Sequence, residues 1–284
     1  MQNQKEYLDF ILNLTGADEF KELVKDLETF RQNKDKYPIH NTPLPAYFWV
    51  LKRGGGIKTC VSAFADYLYA SKLFQFSGKE RCIMHRLDYV RPDSPFAELT
   101  RLDNTIKINA GYHRFFQGVV CIDICDWEGV TNEPHFTILL KYLENNMDKI
   151  LPIMYMHTSS EDKIKSVETS LSAHIRFDTV HFRFPEPHEV VDLIEAKLLS
   201  QNNISLSKEA KSVMTETITD VSKNENFNGF VTIEQITNDF LYHLYQTELH
   251  KNKVSEKALQ DYIKKSDYIN RLKVNKPDKQ KLGF

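Results

Sequence analysis

The sequence predicts an α/β protein, with a parallel sheet followed by an all-α domain. Three observations carry this. Apolar runs of strand length alternate with stretches of helical period up to about residue 185. Strands alternating with helices imply a parallel sheet covered on both faces. Beyond "PEPHE", from Glu189 onward, only helical periodicity remains.

The elements follow in order. "KEYLDFILNLTGADEFKELVKDLETFRQNKDK" places Tyr7, Phe10, Ile11 and Leu14 on one apolar face. "TGADE" interrupts it, and Phe20, Leu23, Val24 and Leu27 resume it, so two helices are expected. "YPIHNTPLP" holds three prolines and reads as a loop. "AYFWVL" is long enough for one buried strand. A glycine turn follows, then a helix over "TCVSAFADYLYASKLF", apolar at Val61, Phe64, Ala65 and Leu68. "GVVCIDI" (Gly118 to Ile124), "ILPIMYMHT" (Ile150 to Thr158) and "TVHFRF" (Thr179 to Phe184) are three more strands. "HFTILLKYLENNM" is a helix between the first two. "EVVDLIEAKLLSQNN", "SKEAKSVMTETITDVSK" and "TIEQITNDFLYHLYQTELH" are three helices in a row. "SLSKE" and "TIEQ" offer their start signals. The expected division is N-terminal helices over 1–40, an α/β core over 41–185, a helical domain over 186–265 and a basic tail over 266–284.

Composition excludes little but points one way. The 284 residues are 41% hydrophobic and 27% charged, ample for a buried core. A net charge of −2 calls for neither a nucleic-acid nor a membrane partner. No apolar run reaches the roughly 18 residues of a membrane span. "MQNQKEYLDF" lacks a signal-peptide pattern. Cys60, Cys82, Cys121 and Cys125 fit no zinc spacing and read as reduced, buried thiols. A cytoplasmic protein is the expectation.

The chemistry centres on "LKRGGGIKTC", Leu51 to Cys60. It almost fits the phosphate-binding pattern G-x-x-x-x-G-K-[ST]. Lys58 and Thr59 fill the last two places, while Lys52 and Ile57 stand where glycines belong. Strand, glycine loop and helix is the context that such a loop requires. Its backbone N–H groups and the helix N-terminus would cradle phosphate. Lys58 would reach the β and γ phosphates, and the Thr59 hydroxyl would hold magnesium. Gly54, Gly55 and Gly56 allow the loop to bend, with Ile57 and Cys60 completing the candidate binding stretch. Ile57 is the expected obstacle, because a β-branched side chain resists positive φ. A structural turn with an incidental lysine stays open from the residues alone.

The order of parts resembles the AAA+ module, in particular the Rubisco-activase-like and sporulation-stage ATPases of bacteria. The resemblance runs from about Leu12 to about Leu249. "LTGADEFKELVKDLETF" is similar to that clade's lead-in, "AYFWVLKRGGGIKTCVSAFADYL" to its Walker A unit and "GVVCIDICDW" to its Walker B strand. "SLSAHIRFDTVHF" resembles the segment ending in arginine-phenylalanine, "PEPHEVVDLIEAKL" the start of its helical lid, and the final "KLGF" a common ending.

The resemblance implies roles. Asp123 would help hold magnesium, but Ile124 stands where the water-orienting glutamate belongs. Asp126 or Glu128 could substitute only by a register shift. The sensor position falls on His157 or Thr158, and the arginine finger on Arg176 in "HIRF". The sensor-2 arginine is missing, since "NFNGFVTIEQITNDF" has no cation. Tyr89 or Phe96 falls where the family places a pore-facing aromatic, and "YHRFFQG" (Tyr112 to Gly118) reads as a helix packed on the sheet or a partner-contacting edge. The implied function is a degenerate AAA+ subunit binding ATP or ADP with Mg2+ and weak or inactive in hydrolysis alone. It would act in a homo- or hetero-oligomer of AAA+ subunits on a protein substrate, without nucleic acid or membrane. An active ATPase using shifted residues, and a clamp-loader-like or scaffolding module, are the alternatives.

Overall fold

The computed structural model describes residues 2–36, 44–87, 97–111, 113, 115–127, 134–247 and 252–273. The chain divides into two units, Met1–Arg183 and Phe184–Phe284.

The first unit begins with α1 (Gln2–Leu12) and α2 (Asp18–Lys36), joined through Gly16 at φ 77°. Then come β1 (Ala46–Leu51), α3 (Ile57–Ser71), β2 (Cys82–Arg86), α4 (Ala97–Ala110), β3 (Gly118–Asp123), α5 (Pro134–Glu144), β4 (Ile150–His157), α6 (Glu161–Ser172) and β5 (Phe177–His181). The strands form one parallel sheet in the order β2-β3-β4-β1-β5.

Strand alternation explains the two cores. Tyr47, Trp49 and Leu51 of β1 join Cys121 of β3 and Ile153 and Tyr155 of β4 on the face that packs α1, α2 and α3. Ala46, Phe48 and Val50 point the other way, with Ile122 and Met154, into the layer of α4, α5 and α6. Both faces are dry, so β1, β3 and β4 read as unbroken apolar runs.

Phe20 of α2 ties the first face together. Its ring lies 5.1 Å from Trp49, 5.6 Å from Phe64 and 5.6 Å from Phe182. The acids that open α2 also fasten the edge strand. Glu19 accepts the His181 N–H at 2.6 Å, and Asp18 pairs with Arg183 at 2.8 Å just past β5. Glu28 links three helices: it accepts from Gln4 of α1 (2.9 Å), from Arg31 of its own helix (2.7 Å) and from the Tyr67 hydroxyl of α3 (3.1 Å). The Arg31 guanidinium holds the Glu28 carboxyl below the usual range.

The second unit is α7 (Pro187–Asn202), α8 (Lys208–Val221), α9 (Gly229–Gln246), α10 (Glu256–Lys265) and α11 (Asp267–Lys273). Val190, Ile194, Met214, Ile236, Phe240 and Leu259 lead its own core. Ser207 caps α8 by accepting the Ala210 N–H at 3.1 Å, as "SLSKE" signals. No helix among the described residues is long and apolar enough to cross a membrane.

Several expectations need correction. The last strand is Phe177–His181, not Thr179–Phe184, because its pairing with β1 starts at Phe177 opposite Ala46. The unit after Glu189 is not wholly helical: β6 (Ser205–Leu206) and β7 (Lys253–Val254) pair in parallel. Thr232 does not start a helix; it lies buried inside α9 and accepts the Asn228 N–H at 2.8 Å. Helix α11 stands within the stretch expected to be tail, held by buried Ile269 and Leu272. The strand of Cys121 ends at Asp123, not Ile124, and Cys125 lies in the short 3-10 turn Cys125–Trp127. In "YHRFFQG", Phe116 is buried and Phe115 is exposed, while Tyr112 lies outside the described residues. So do Tyr89, Phe96 and Glu128.

Candidate functional site

The topology places a crevice at the carboxyl ends of β1 and β4. These strands are neighbours, yet the helix after β1 packs on one face and the helix after β4 on the other. That divergence is a topological switch point, where open α/β sheets hold ligands. Leu51 and His157 are paired at its rim.

The glycine loop bends sharply from Leu51. Gly55 N–H donates to the Lys52 carbonyl at 3.0 Å. Gly54 has φ 74°, and Gly56, the residue capping α3, has φ 78° and ψ 25°. At Gly55 an added Cβ would lie 2.9 Å from the Lys52 carbonyl oxygen. The need for glycine therefore falls on Gly54, Gly55 and Gly56. Ile57 is not the expected obstacle. It is the first residue of α3, shows no positive φ, and packs half-buried against the α3-side core.

Lys52, Arg53 and Lys58 are exposed, and none makes an ion pair among the described residues. Three unpaired cations thus flank the N-terminus of a 15-residue helix. Backbone N–H groups and charge together suit a phosphate there. Thr59 is exposed and lines a groove with Tyr7 and Phe10 of α1 and Ser62, Ala63 and Asp66 of α3. Cys60 is buried, its thiol pushed up to about 12 by burial, so it packs rather than binds.

Asp123 ends β3 and is already held. One carboxylate oxygen accepts the Cys125 N–H at 2.9 Å, the other the Tyr155 hydroxyl at 3.0 Å. Tyr155 is the residue opposite Asp123 in the β3–β4 register. Ile124 turns away, 1% exposed among Trp127, Phe136 and Met156 on the far face of the sheet. Asp126 is ion-paired to Arg86 at 3.0 Å.

Of the two sensor candidates, His157 faces the loop and Thr158 does not reach it by any recorded bond. The His157 ring stacks edge-on to Tyr155 at 5.4 Å. Burial pulls its imidazole below the ordinary value, and the Arg53 charge adds to this. The Asp123 carboxylate and the backbone of Leu51 and Lys52 oppose it. Its Nδ1 is buried with no hydrogen-bond partner among the described residues. His157 is therefore neutral near pH 7, with one ring nitrogen a donor and the other an acceptor. The Thr158 hydroxyl accepts the Ser160 N–H at 3.1 Å, bending the chain into α6.

Arg176 is not brought to this cleft. Its carbonyl accepts the Ala46 N–H at 3.0 Å, at the amino edge of the sheet. The loop leaves the carboxyl edge of β1, roughly 17 Å away along the strand at ~3.3 Å per residue. Its side chain is exposed and makes no ion pair among the described residues.

Tyr155 is the site residue that sequence reasoning missed. The one signal was its spacing: two before His157 on a strand, hence on the same face.

No protein-family model and no curated protein matches the chain. Solved structures do. C. elegans PCH-2 is similar over 94% of this chain and 71% of its own, with a TM-score of 0.50 and 9% identity. The fold is that of an AAA+ P-loop NTPase core. A mainly helical unit with one short strand pair follows it in the chain. A chain in the structure of Drosophila ORC bound to poly(dA/dT) DNA and Cdc6 also matches, over 86% of this chain and 41% of its own, with a TM-score of 0.43 and 12% identity.

Within this fold the phosphate cradle fits the residues present. The magnesium expected at Thr59 and Asp123 fits less well, because each Asp123 oxygen already accepts one hydrogen bond and has a single lone pair left to offer.

Proposed function

We propose that the chain is a degenerate AAA+ subunit, which binds ATP or ADP at the Gly54–Thr59 loop and hydrolyses ATP weakly or not at all by itself. The observation that carries this reading is a contrast within one cleft. The loop keeps left-handed Gly54 and Gly56 with exposed Lys52, Arg53 and Lys58, unpaired among the described residues. The residue after Asp123, by contrast, is an isoleucine sealed in the opposite core. An aliphatic side chain cannot orient water, and its position leaves none to orient. Lys58 is the phosphate clamp in this reading. Neutral His157 sits opposite Leu51 in the β1–β4 register, at the base of the loop.

Arg176 supports a role in an assembly with AAA+ subunits, of this chain or another. It is exposed, and unpaired among the described residues, at the edge opposite its own loop, so a neighbour's nucleotide is the target open to it. Its fixed planar charge suits that use. A protein substrate is part of the reading.

Calorimetric titration of the purified full chain with ADP and ATP tests the core of this proposal. The wild type should bind, and Lys58→Ala should weaken binding about tenfold or more, the loss of one charge-assisted phosphate contact. Equal binding by the variant, or none by the wild type, would reject a phosphate-binding loop.

A further inference from the structure

We infer that the Tyr155 hydroxyl stands in for a metal at Asp123, so that nucleotide binding at the glycine loop is indifferent to divalent cations. This rests on the nucleotide-binding reading above and adds how that site is charged.

Two observations carry it independently. The first is the state of Asp123. Its oxygens accept the Tyr155 O–H at 3.0 Å and the Cys125 N–H at 2.9 Å. Hydrogen bonds to an ionised carboxylate are the strong kind. Magnesium demands near-ideal octahedral oxygen ligation and gives up water reluctantly. Each Asp123 oxygen keeps one further lone pair, but a cation there would compete for charge that the buried Tyr155 phenol and the Cys125 N–H already draw on. Burial and the Asp123 charge push the Tyr155 phenol far above its ordinary value, so it remains a donor at any working pH. Among the described residues beside Asp123 no second carboxylate assists, since Ile124 follows it and Asp126 is turned to Arg86.

The second observation is the surplus of fixed positive charge. A triphosphate needs its charge neutralised, and magnesium commonly does this. Here Lys52 occupies a position where the loop pattern has glycine, and with Arg53 and Lys58 it presents three cations unpaired among the described residues. The protein supplies from side chains what a bound cation would otherwise supply. Tyr155 acts through Asp123 and is a positioning residue.

The test uses the full chain. Dissociation constants for ADP and ATP are measured in excess Mg2+ and in EDTA, for wild type and Tyr155→Phe, which keeps the ring and removes the hydroxyl. The wild-type values should agree within about threefold, a small free-energy difference. Tyr155→Phe removes one of the two hydrogen bonds on Asp123 and should bind about tenfold tighter in Mg2+ than in EDTA. A wild type that loses about tenfold in EDTA overturns the inference without any variant. So does a folded Tyr155→Phe that remains indifferent to Mg2+. In those outcomes nucleotide binding itself still stands. Absence of binding under every condition removes the nucleotide-binding reading, and this inference with it.

Discussion

Ile124→Glu, the substitution that would restore the missing acid by sequence, is expected to cost about 5 kcal/mol of stability and to create no ATPase. Ile124 is 1% exposed in the core beneath the sheet. Removing its burial costs about 2 kcal/mol. A carboxyl placed there must stay protonated. At about 1.4 kcal/mol per pKa unit, keeping it neutral at pH 7 against an ordinary value near 4.3 costs roughly 3–4 kcal/mol more. The sum is comparable to the whole stability of many domains. The sign of its pH dependence follows. The folded pKa is raised, so between the unfolded and folded values the native state holds more protons, and stability falls as pH rises. Urea denaturation should therefore show a smaller deficit at pH 5 than at pH 7. A stable variant with strong turnover would mean that position 124 faces the cleft.

Phe20→Ala is expected to cost about 3–5 kcal/mol, the range for a buried aromatic truncated without collapse of the site. Its ring meets Trp49, Phe64 and Phe182, so the cavity would open between α2, β1, α3 and the end of β5. Four rigid elements cannot all close on it. At about 2–4 °C per kcal/mol for a unit of this size, the melting midpoint should fall by roughly 6–20 °C. Phe10→Ala provides the contrast, since Phe10 is 48% exposed and its loss should stay within about 0.5 kcal/mol. A drop below about 1 kcal/mol for Phe20→Ala would show that α2 is not part of the core.

Burial decides which elements were legible. β1, β3 and β4 are covered on both faces, so "AYFWVL", "GVVCID" and "ILPIMYMH" announce themselves. β2 is an edge strand, "CIMHR", with Met84 and Arg86 exposed, and it gave no run to detect. β5 was displaced because Val180, Phe182 and Phe184 look like one alternating strand. Phe182 belongs to the core of the first unit, whereas Phe184 packs on Phe227 and Phe230 in the second.

The site was legible as a loop pattern and not as geometry. Lys58 and Thr59 mark the loop, but the pattern places the demanding glycine at Ile57, whereas the left-handed residue is Gly56. The Asp123–Tyr155 bond and the remoteness of Arg176 both follow from strand register. Register joins residues tens of positions apart, and no local signal in one sequence encodes it.

The central claim is a cleft that holds ATP without cleaving it. Steady-state phosphate release by the purified chain at saturating ATP, with binding confirmed in the same sample, tests it most directly. Release slower than about 0.001 s⁻¹, near the rate of an unassisted GTPase site, is the predicted result. Turnover on the order of 1 s⁻¹ or faster, within the ordinary range for enzymes, would contradict it.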